Sequence, residues 1–372
     1  MIPDPLRLRD GSLLATPEQW AASRRPELLE LFREHVYGRV PCERPDRLSF
    51  RTTEDAVVFG GFARRRRILI SWSAPQAEGA LPVFLYTPEP AAAGKPAGTL
   101  VHIAVREREL ISSADEAPNE FWPVREIVAR GYATAAFHKD DAAPDDPNDG
   151  FRRGVFAGFE PPRAAGELRP ANAWGTIAAW SWAASRVVDF IEAEPSLRRA
   201  PVSVVGHSRG GKAALWCGAQ DERVALAISN NSGCTGAALA RVTRGETIAE
   251  INARFPHWFA RNYHRYNGAE DLLPVDQHEL LALLAPRLVY VASASEDAWA
   301  DPAAEFRACT EAAPVFRLHG LDGPRPGLVP SVGTPLHDGA IGYHLRAGGH
   351  DLRLEDWRHF LDFADRHLGI PD

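Results

Sequence analysis

A serine between two glycines, entered from a strand and left through a helix, constrains this chain more than any other feature. Val202 to Gly206 is a short apolar run of the kind that forms a buried strand, and Gly206-His207-Ser208-Arg209-Gly210 follows it directly. Gly211-Lys212-Ala213-Ala214-Leu215-Trp216 then reads as the start of a helix. In that order, G-x-S-x-G describes a sharp strand-to-helix turn that lifts the serine hydroxyl above a sheet. Glycines at 206 and 210 let the two backbones approach without collision. The serine is thereby expected at a helix N-terminus, where backbone N–H groups and the helix dipole favour negative charge. The same five residues could also form an ordinary glycine-flanked turn, so the flanking elements and downstream partners decide the reading.

The flanking pattern is that of an α/β sheet. Residues 17 to 37 carry helix periodicity, with Thr16-Pro17-Glu18 as an N-terminal signal. Strands are predicted at 68–72, 82–87, 99–105, 132–138, 224–230, 287–293 and 341–346, from runs of Val, Ile, Phe and Tyr. Helices are predicted at 123–130, 173–193, 276–284, 301–312 and 355–368. This alternation implies a mostly parallel central sheet with helices on both faces, the three-layer sandwich of the α/β-hydrolase fold. A single catalytic domain over 1–372 is expected. Residues 140–169, rich in Asp, Pro and Gly, and the region 235–272 are expected as loops or insertions around the site.

Bulk properties remove several function classes. A formal net charge of −7 argues against nucleic acid or an anionic membrane as partner. No stretch approaches the ~20 apolar residues of a membrane span. Arg64-Arg65-Arg66-Arg67 precedes Ile68-Leu69-Ile70 and is expected as a solvated strand end. The first residues, Met1-Ile2-Pro3-Asp4-Pro5, lack the basic and apolar regions of a signal peptide. Cys42, Cys217, Cys234 and Cys309 show no zinc-ligand spacing and no dense disulfide framework; they leave room for one bridge, whose pair the sequence does not specify. The histidines at 257, 264 and 278 show no H-E-x-x-H spacing, so no metal is expected. Of the 42 Lys and Arg residues, only Lys95, Lys139 and Lys212 are lysines, which draws attention to Lys212, four residues after the serine.

A serine nucleophile needs a base to take its proton and an acid to orient that base. In this fold the chain order is serine, acid, histidine. Gly348-Gly349-His350-Asp351 lies between the last strand and the terminal helix, where a bending loop can bring His350 over the serine. His344 falls inside a strand pattern and is expected to be packed, and His337 reads as a surface residue. The acid is expected in the loop after the 287–293 strand, which offers Glu296, Asp297 and Asp301. Asp301 precedes a proline at a helix start and suits an N-cap. Asp297 is preferred over Glu296, since a short carboxylate loses less rotamer freedom, although position alone leaves both open.

Taken together these residues resemble the bacterial branch of carbohydrate esterase family 15, the glucuronoyl esterases. The likeness runs through Gly206 to Leu215, Asn230-Asn231-Ser232-Gly233-Cys234-Thr235-Gly236 and Phe255-Pro256-His257-Trp258-Phe259. It continues in Leu273-Pro274-Val275-Asp276-Gln277-His278, Ala285-Pro286-Arg287, Asp297-Ala298-Trp299-Ala300-Asp301-Pro302 and Gly349-His350-Asp351. Near the N-terminus, Arg24-Arg25-Pro26-Glu27 and Val36-Tyr37-Gly38-Arg39-Val40-Pro41 are also similar, so nearly the whole chain is covered. The resemblance implies hydrolysis of 4-O-methyl-glucuronoyl esters that join glucuronoxylan to lignin alcohols, without a cofactor, by an exported (secreted or periplasmic) monomer. It also implies roles by position: Ser208 as nucleophile, Arg209 at the oxyanion, and Lys212, Glu246 and Trp299 against the sugar. One position departs from the pattern. Some members carry the catalytic acid as a glutamate where this chain has Asn231, and an amide cannot supply that charge; the resemblance to other bacterial members then implies an acid from the later loop, a place that Asp297 matches.

Two other readings stand beside this one. The same set of residues would serve an acetyl xylan esterase, a general carboxylesterase or a peptidase, because substrate choice lives in the pocket and not in the fold. A non-catalytic binding protein on a hydrolase fold is the remaining alternative.

Overall fold

Among the described residues, nine strands form one sheet in the order β1-β2-β3-β5-β4-β6-β7-β8-β9. They are β1 (Leu48–Val58), β2 (Ala63–Ser73), β3 (Glu78–Pro88), β4 (Thr99–Ala104), β5 (Ala133–His138), β6 (Val202–His207), β7 (Val224–Asn230), β8 (Leu288–Ala294) and β9 (Ile341–Arg346). This computed structural model describes residues 1–89, 96–117, 119–164 and 167–369. The β1–β2, β2–β3 and β3–β5 pairs are antiparallel, and every pair from β5 through β9 is parallel. Ser208, Asn231, Asp297 and His350 all follow the C-terminal ends of parallel strands, which is where ligand sites of such sheets form.

Side-chain alternation along the strands builds two cores. Val204, Ala227, Val289 and Val291 point to one face, against the helices Thr176–Ala193, Arg209–Gln220 and Pro302–Leu318. Their neighbours Val205, Leu226, Ile228, Tyr290 and Ala292 point to the other, against Val124–Ala129 and Leu354–Leu368. Parallel strands covered on both faces read as continuous apolar runs, which is why β4 to β9 were legible. Burying each large side chain such as Trp180 or Trp216 contributes about 1.5–3 kcal/mol.

Four expectations need correction or refinement. β1 has no counterpart among the predicted strands: most of its residues are polar and exposed, so it carries no apolar alternation. Arg64 to Arg67 do not form a solvated strand end. They lie inside β2, half-buried, and pair with Asp55 at 2.7 Å, Asp115 at 2.9 Å, Glu194 at 3.0 Å and Glu54 at 3.1 Å respectively. The helix expected over 17–37 is Pro17–Gln19 and Arg25–His35 joined by a π turn, Trp20–Arg24, whose Trp20 and Arg24 are both buried. The region 140–169 is more ordered than a surface loop, with short helices Lys139–Ala142, Gly150–Arg152 and Gly154–Phe159; Ala165 and Gly166 lie outside the described residues.

Residues 235–272 contain the helix Ile248–Arg254, opened by a reciprocal Thr247–Glu250 cap, and the 3-10 segment Arg261–Tyr266. All four cysteines are free. Among the described residues, no helix is long and apolar enough to cross a membrane.

Candidate active site

Ser208 sits between β6 and the helix Arg209–Gln220 with φ 56° and ψ −123°. A non-glycine residue in this region costs on the order of 1–3 kcal/mol and persists only where the surroundings hold it. Here the Ser208 N–H donates to Asn230 O at 2.8 Å, and Gly211 and Lys212 N–H groups donate to Ser208 O at 2.9 and 3.2 Å. The glycines are required by contact. A Cβ on Gly206 would lie 2.0 Å from Gly210 O, and one on Gly210 would lie 2.9 Å from Ile103 O on β4. Gly206→Ala is therefore expected to destabilise the fold by about 3 kcal/mol, measured as a lower midpoint of urea unfolding; an unchanged midpoint would mean the turn is not packed as described.

His350 occupies the loop after β9, and a buried arginine fixes that loop. Arg346 donates from Nη1 to Ala347 O at 2.9 Å and from Nη2 to Gly349 O at 2.8 Å and Asp351 O at 2.6 Å. Its Nε donates to Asp356 Oδ2 at 3.0 Å, which neutralises the buried charge. His350 Nδ1 lies 2.6 Å from Asp297 Oδ2. The neighbouring ring of His207, 4.6 Å away centre to centre, is kept neutral: burial, and then the charge of His350, pushes it well below its ordinary value.

Asp297 is buried whereas Glu296 is exposed, so geometry separates the two carboxylates that position left open. Besides His350, Asp297 accepts from Asn231 Nδ2 at 2.8 Å and from the Ala300 N–H at 3.3 Å. Burial pushes this carboxyl upward, but the hydrogen bonds from His350 and Asn231 and the charge of His350 outweigh it and hold it below the ordinary range. Asn231, noted from sequence as an amide where an acid would be an alternative, serves as a donor to Asp297. Asp301 caps the helix Pro302–Leu318, accepting from the Ala304 N–H at 3.1 Å. His344 is buried within β9, 2.8 Å from Asp356 Oδ1 and 3.0 Å from Tyr290 OH. His337, read from sequence as a surface residue, is half-buried and 2.9 Å from the same tyrosine hydroxyl.

Ser208, Asp297 and His350 line one cavity of about 400 Å³ together with Arg209, Lys212, Glu246 and Trp299. His350 is 43% exposed there, so its imidazole is open to a reactant from the cavity side. Among the described residues no hydrogen bond joins Ser208 Oγ to His350; such contacts often tighten only when substrate binds. A larger, more apolar cavity of about 530 Å³ lies on the other side of the 295–302 loop, against Phe306, Leu328, Val329 and Tyr343, and holds none of these groups.

The remaining cavity residues form a polar cradle. Lys212 is buried, and its Nζ donates to Ser232 O and Cys234 O. Burial pushes its ammonium below the ordinary value, against the pull of Glu246. The Glu246 N–H donates to Trp299 O at 2.9 Å, which ties the two residues together through the backbone. Trp299 leaves 46% of its surface exposed, an aromatic face available for stacking. Arg209 pairs with Asp145, and its guanidinium lies 4.7 Å over the Trp258 ring.

Arg254, Phe255 and Trp258 are among the cavity residues that were given no role from sequence. Arg254 lies 3.5 Å from Glu246 Oε1 and 5.3 Å over the Trp299 ring, so one cation braces both. Phe255 stacks on Trp258 at 3.7 Å. Nothing in an arginine-rich chain marks Arg254 out; the dense aromatic run Phe255-Pro256-His257-Trp258-Phe259 beside it was the available signal.

A serine on a strained turn, a carboxylate-bound imidazole open to the same cavity, and adjacent cations form a set able to transfer an acyl group. A buried lysine, a buried glutamate and an exposed indole match a charged or hydroxylated ring in size and polarity.

Comparison with known proteins agrees in kind. A family model described as fungal glucuronyl esterase matches residues 125–320. The chain is 36% identical to the carbohydrate esterase MZ0003 of an unknown prokaryotic organism, over 99% of this chain and 89% of that protein. It is 28% identical to a 4-O-methyl-glucuronoyl methylesterase of Schizophyllum commune, over 86% of this chain and 74% of the other. Among solved structures, a glucuronoyl esterase from Solibacter usitatus superposes with a TM-score of 0.89 at 35% identity, covering 98% of this chain and 97% of that one.

Proposed function

The chain belongs to the glucuronoyl esterases, carbohydrate esterase family 15, and from that premise we propose that it hydrolyses 4-O-methyl-glucuronoyl esters joining glucuronoxylan to lignin alcohols. Ser208 Oγ attacks the ester carbonyl carbon while His350 takes its proton at Nε2. Asp297 accepts from His350 Nδ1–H, which fixes the tautomer and stabilises the imidazolium. Charge that develops on the carbonyl oxygen meets the backbone N–H and guanidinium of Arg209. The alcohol leaves with the proton from His350, and a water activated by the same imidazole releases the uronic acid from Ser208.

Sugar recognition follows from the cradle. Two of the three Lys212 N–H donors are taken by Ser232 O and Cys234 O, which leaves one for a sugar oxygen. Glu246 accepts from sugar hydroxyls, and the exposed Trp299 face stacks on the ring. The observation that carries this reading is that Ser208, His350, Lys212, Glu246 and Trp299 line one cavity. No cofactor enters the reaction. A plant polymer cannot enter a cell, so the enzyme is proposed to act after export, as a monomer.

Substrate competition tests the assignment. With benzyl glucuronate, Lys212→Ala and Glu246→Ala are each expected to lower kcat/KM by about 10–100-fold, the value of one lost charged hydrogen bond. p-Nitrophenyl acetate, which has no sugar, should be hydrolysed by both variants as by the native enzyme. Equal losses on both esters, or a native preference for methyl galacturonate or the acetate, would instead favour a broader carboxylesterase.

A further inference from the structure

We propose that Asp145 is a positioning residue of this site: its carboxylate holds the Arg209 guanidinium in the orientation that receives the oxyanion, and it acts on the rate through Arg209. The inference rests on the reading of Arg209 as an oxyanion donor.

Asp145 follows β5, at the same edge of the sheet as Ser208 and His350. Its carboxylate divides its two oxygens between two kinds of donor. Oδ1 accepts from Trp258 Nε1 at 2.7 Å and from His257 Nε2 at 2.8 Å. Oδ2 faces the two cations, bonding Arg209 Nη1 and lying 3.4 Å from Lys139 Nζ. The Trp258 and His257 donors fix the plane of the carboxylate, so Oδ2 is aimed at Arg209 by groups that take no part in the reaction.

Both sides of this arrangement are anchored. The Asp145 N–H donates to Asp140 Oδ1 at 2.9 Å, and Trp180 Nε1 donates to Ala143 O at 2.8 Å, which pins the loop. On the donor side, the helix Thr176–Ala193 opens on the aromatic run: Thr176 and Ile177 N–H groups donate to His257 O at 3.0 Å and Trp258 O at 3.1 Å. Those are first-turn N–H groups with no partner inside their own helix. Trp258 therefore does two things for Arg209, orienting the carboxylate that binds it and lying beneath its guanidinium.

The alternative, that Asp145 and His257 are an acid–base couple, does not fit the geometry. His257 is buried and is not among the residues lining the cavity. Burial pushes the Asp145 carboxyl upward, but the His257 hydrogen bond, the Lys139 charge, Trp258 and Arg209 outweigh it and keep the group ionised. A flexible arginine would have to be ordered in each turnover, whereas one clamped between a carboxylate and an indole is already in place.

A double-mutant cycle on the whole enzyme separates a positioning role from an independent one. Arg209→Ala is expected to lower kcat by about 10²–10³-fold on both benzyl glucuronate and p-nitrophenyl acetate. Asp145→Asn should lower kcat on both esters by about tenfold, with little change in KM for the glucuronate. The doubly substituted enzyme should then be no slower than Arg209→Ala alone. Losses that multiply in the double variant would overturn the inference while leaving Arg209 in its role. A native kcat in Arg209→Ala would overturn both. Should Asp145→Asn fold poorly, Asp145→Glu keeps the charge but displaces its oxygens, and the same cycle applies: a smaller kcat that vanishes in the Arg209→Ala background supports the inference, and a multiplicative loss overturns it.

Discussion

Ser208→Ala is expected to lower kcat for benzyl glucuronate by about 10⁶-fold, leaving only the residual rate that binding and the oxyanion donors provide. The hydroxyl is carried on a strained backbone, at φ 56°, and the turn that holds it is built from close backbone contacts. Removing one oxygen atom leaves those contacts intact. The thermal midpoint should therefore be unchanged or slightly raised while turnover is lost, and steady-state assays with a thermal melt on the same sample check both. A variant that keeps a tenth of native activity would exclude a covalent role for this serine.

The second large effect is expected at Asp297. Asp297→Asn should lower kcat by about 10⁴-fold, the loss the same exchange causes in a comparable triad. The reason is the tautomer. An amide can present its N–H to His350 Nδ1, which then holds the ring proton at Nε2, the nitrogen that has to accept from Ser208. Glu296→Gln should leave the rate near native, since Glu296 is exposed and His350 bonds Asp297. The reverse pattern would transfer the role to Glu296. The same carboxylate also links stability to pH. Its folded-state pKa is depressed, so its contribution is full above the unfolded value and is lost as the pH falls through the depressed one. The stability difference between native enzyme and Asp297→Asn should accordingly shrink on acidification, as measured by urea unfolding across that range.

What could be read from sequence divides along physical lines. β4 to β9 are covered on both faces, so their composition alone marked them as strands. The elbow was legible because its glycines are required by contacts of 2.0 and 2.9 Å, a constraint that leaves a spelled pattern. His350 was singled out through its place after the last strand. β1 escaped because an edge strand with mostly exposed polar residues has neither an apolar face nor an alternation to detect. The arginines of β2 were misplaced because their partners, Asp115 and Glu194 among them, lie far away in the chain, and pairing at such distance cannot be inferred from local charge.

Asp145 and Asn231 were hidden for a related reason. Asp145 sits in a stretch crowded with aspartates, and only its contacts with His257, Trp258 and Arg209 distinguish it from its neighbours. Asn231 was recognised as a departure from the family pattern, but that its amide would donate to Asp297 required the two loops to be brought within 2.8 Å. The sequence shows which residue types can do the chemistry; long-range contacts show which of them are brought together.

Labelling of the native enzyme with a fluorophosphonate, followed by peptide mass spectrometry, tests the covalent role of Ser208 most directly. Stoichiometric modification of the peptide carrying Ser208 is expected, with loss of benzyl glucuronate hydrolysis in proportion to it and no labelling in His350→Ala. Full hydrolysis by enzyme already labelled at Ser208, or a label confined to another residue, would contradict it.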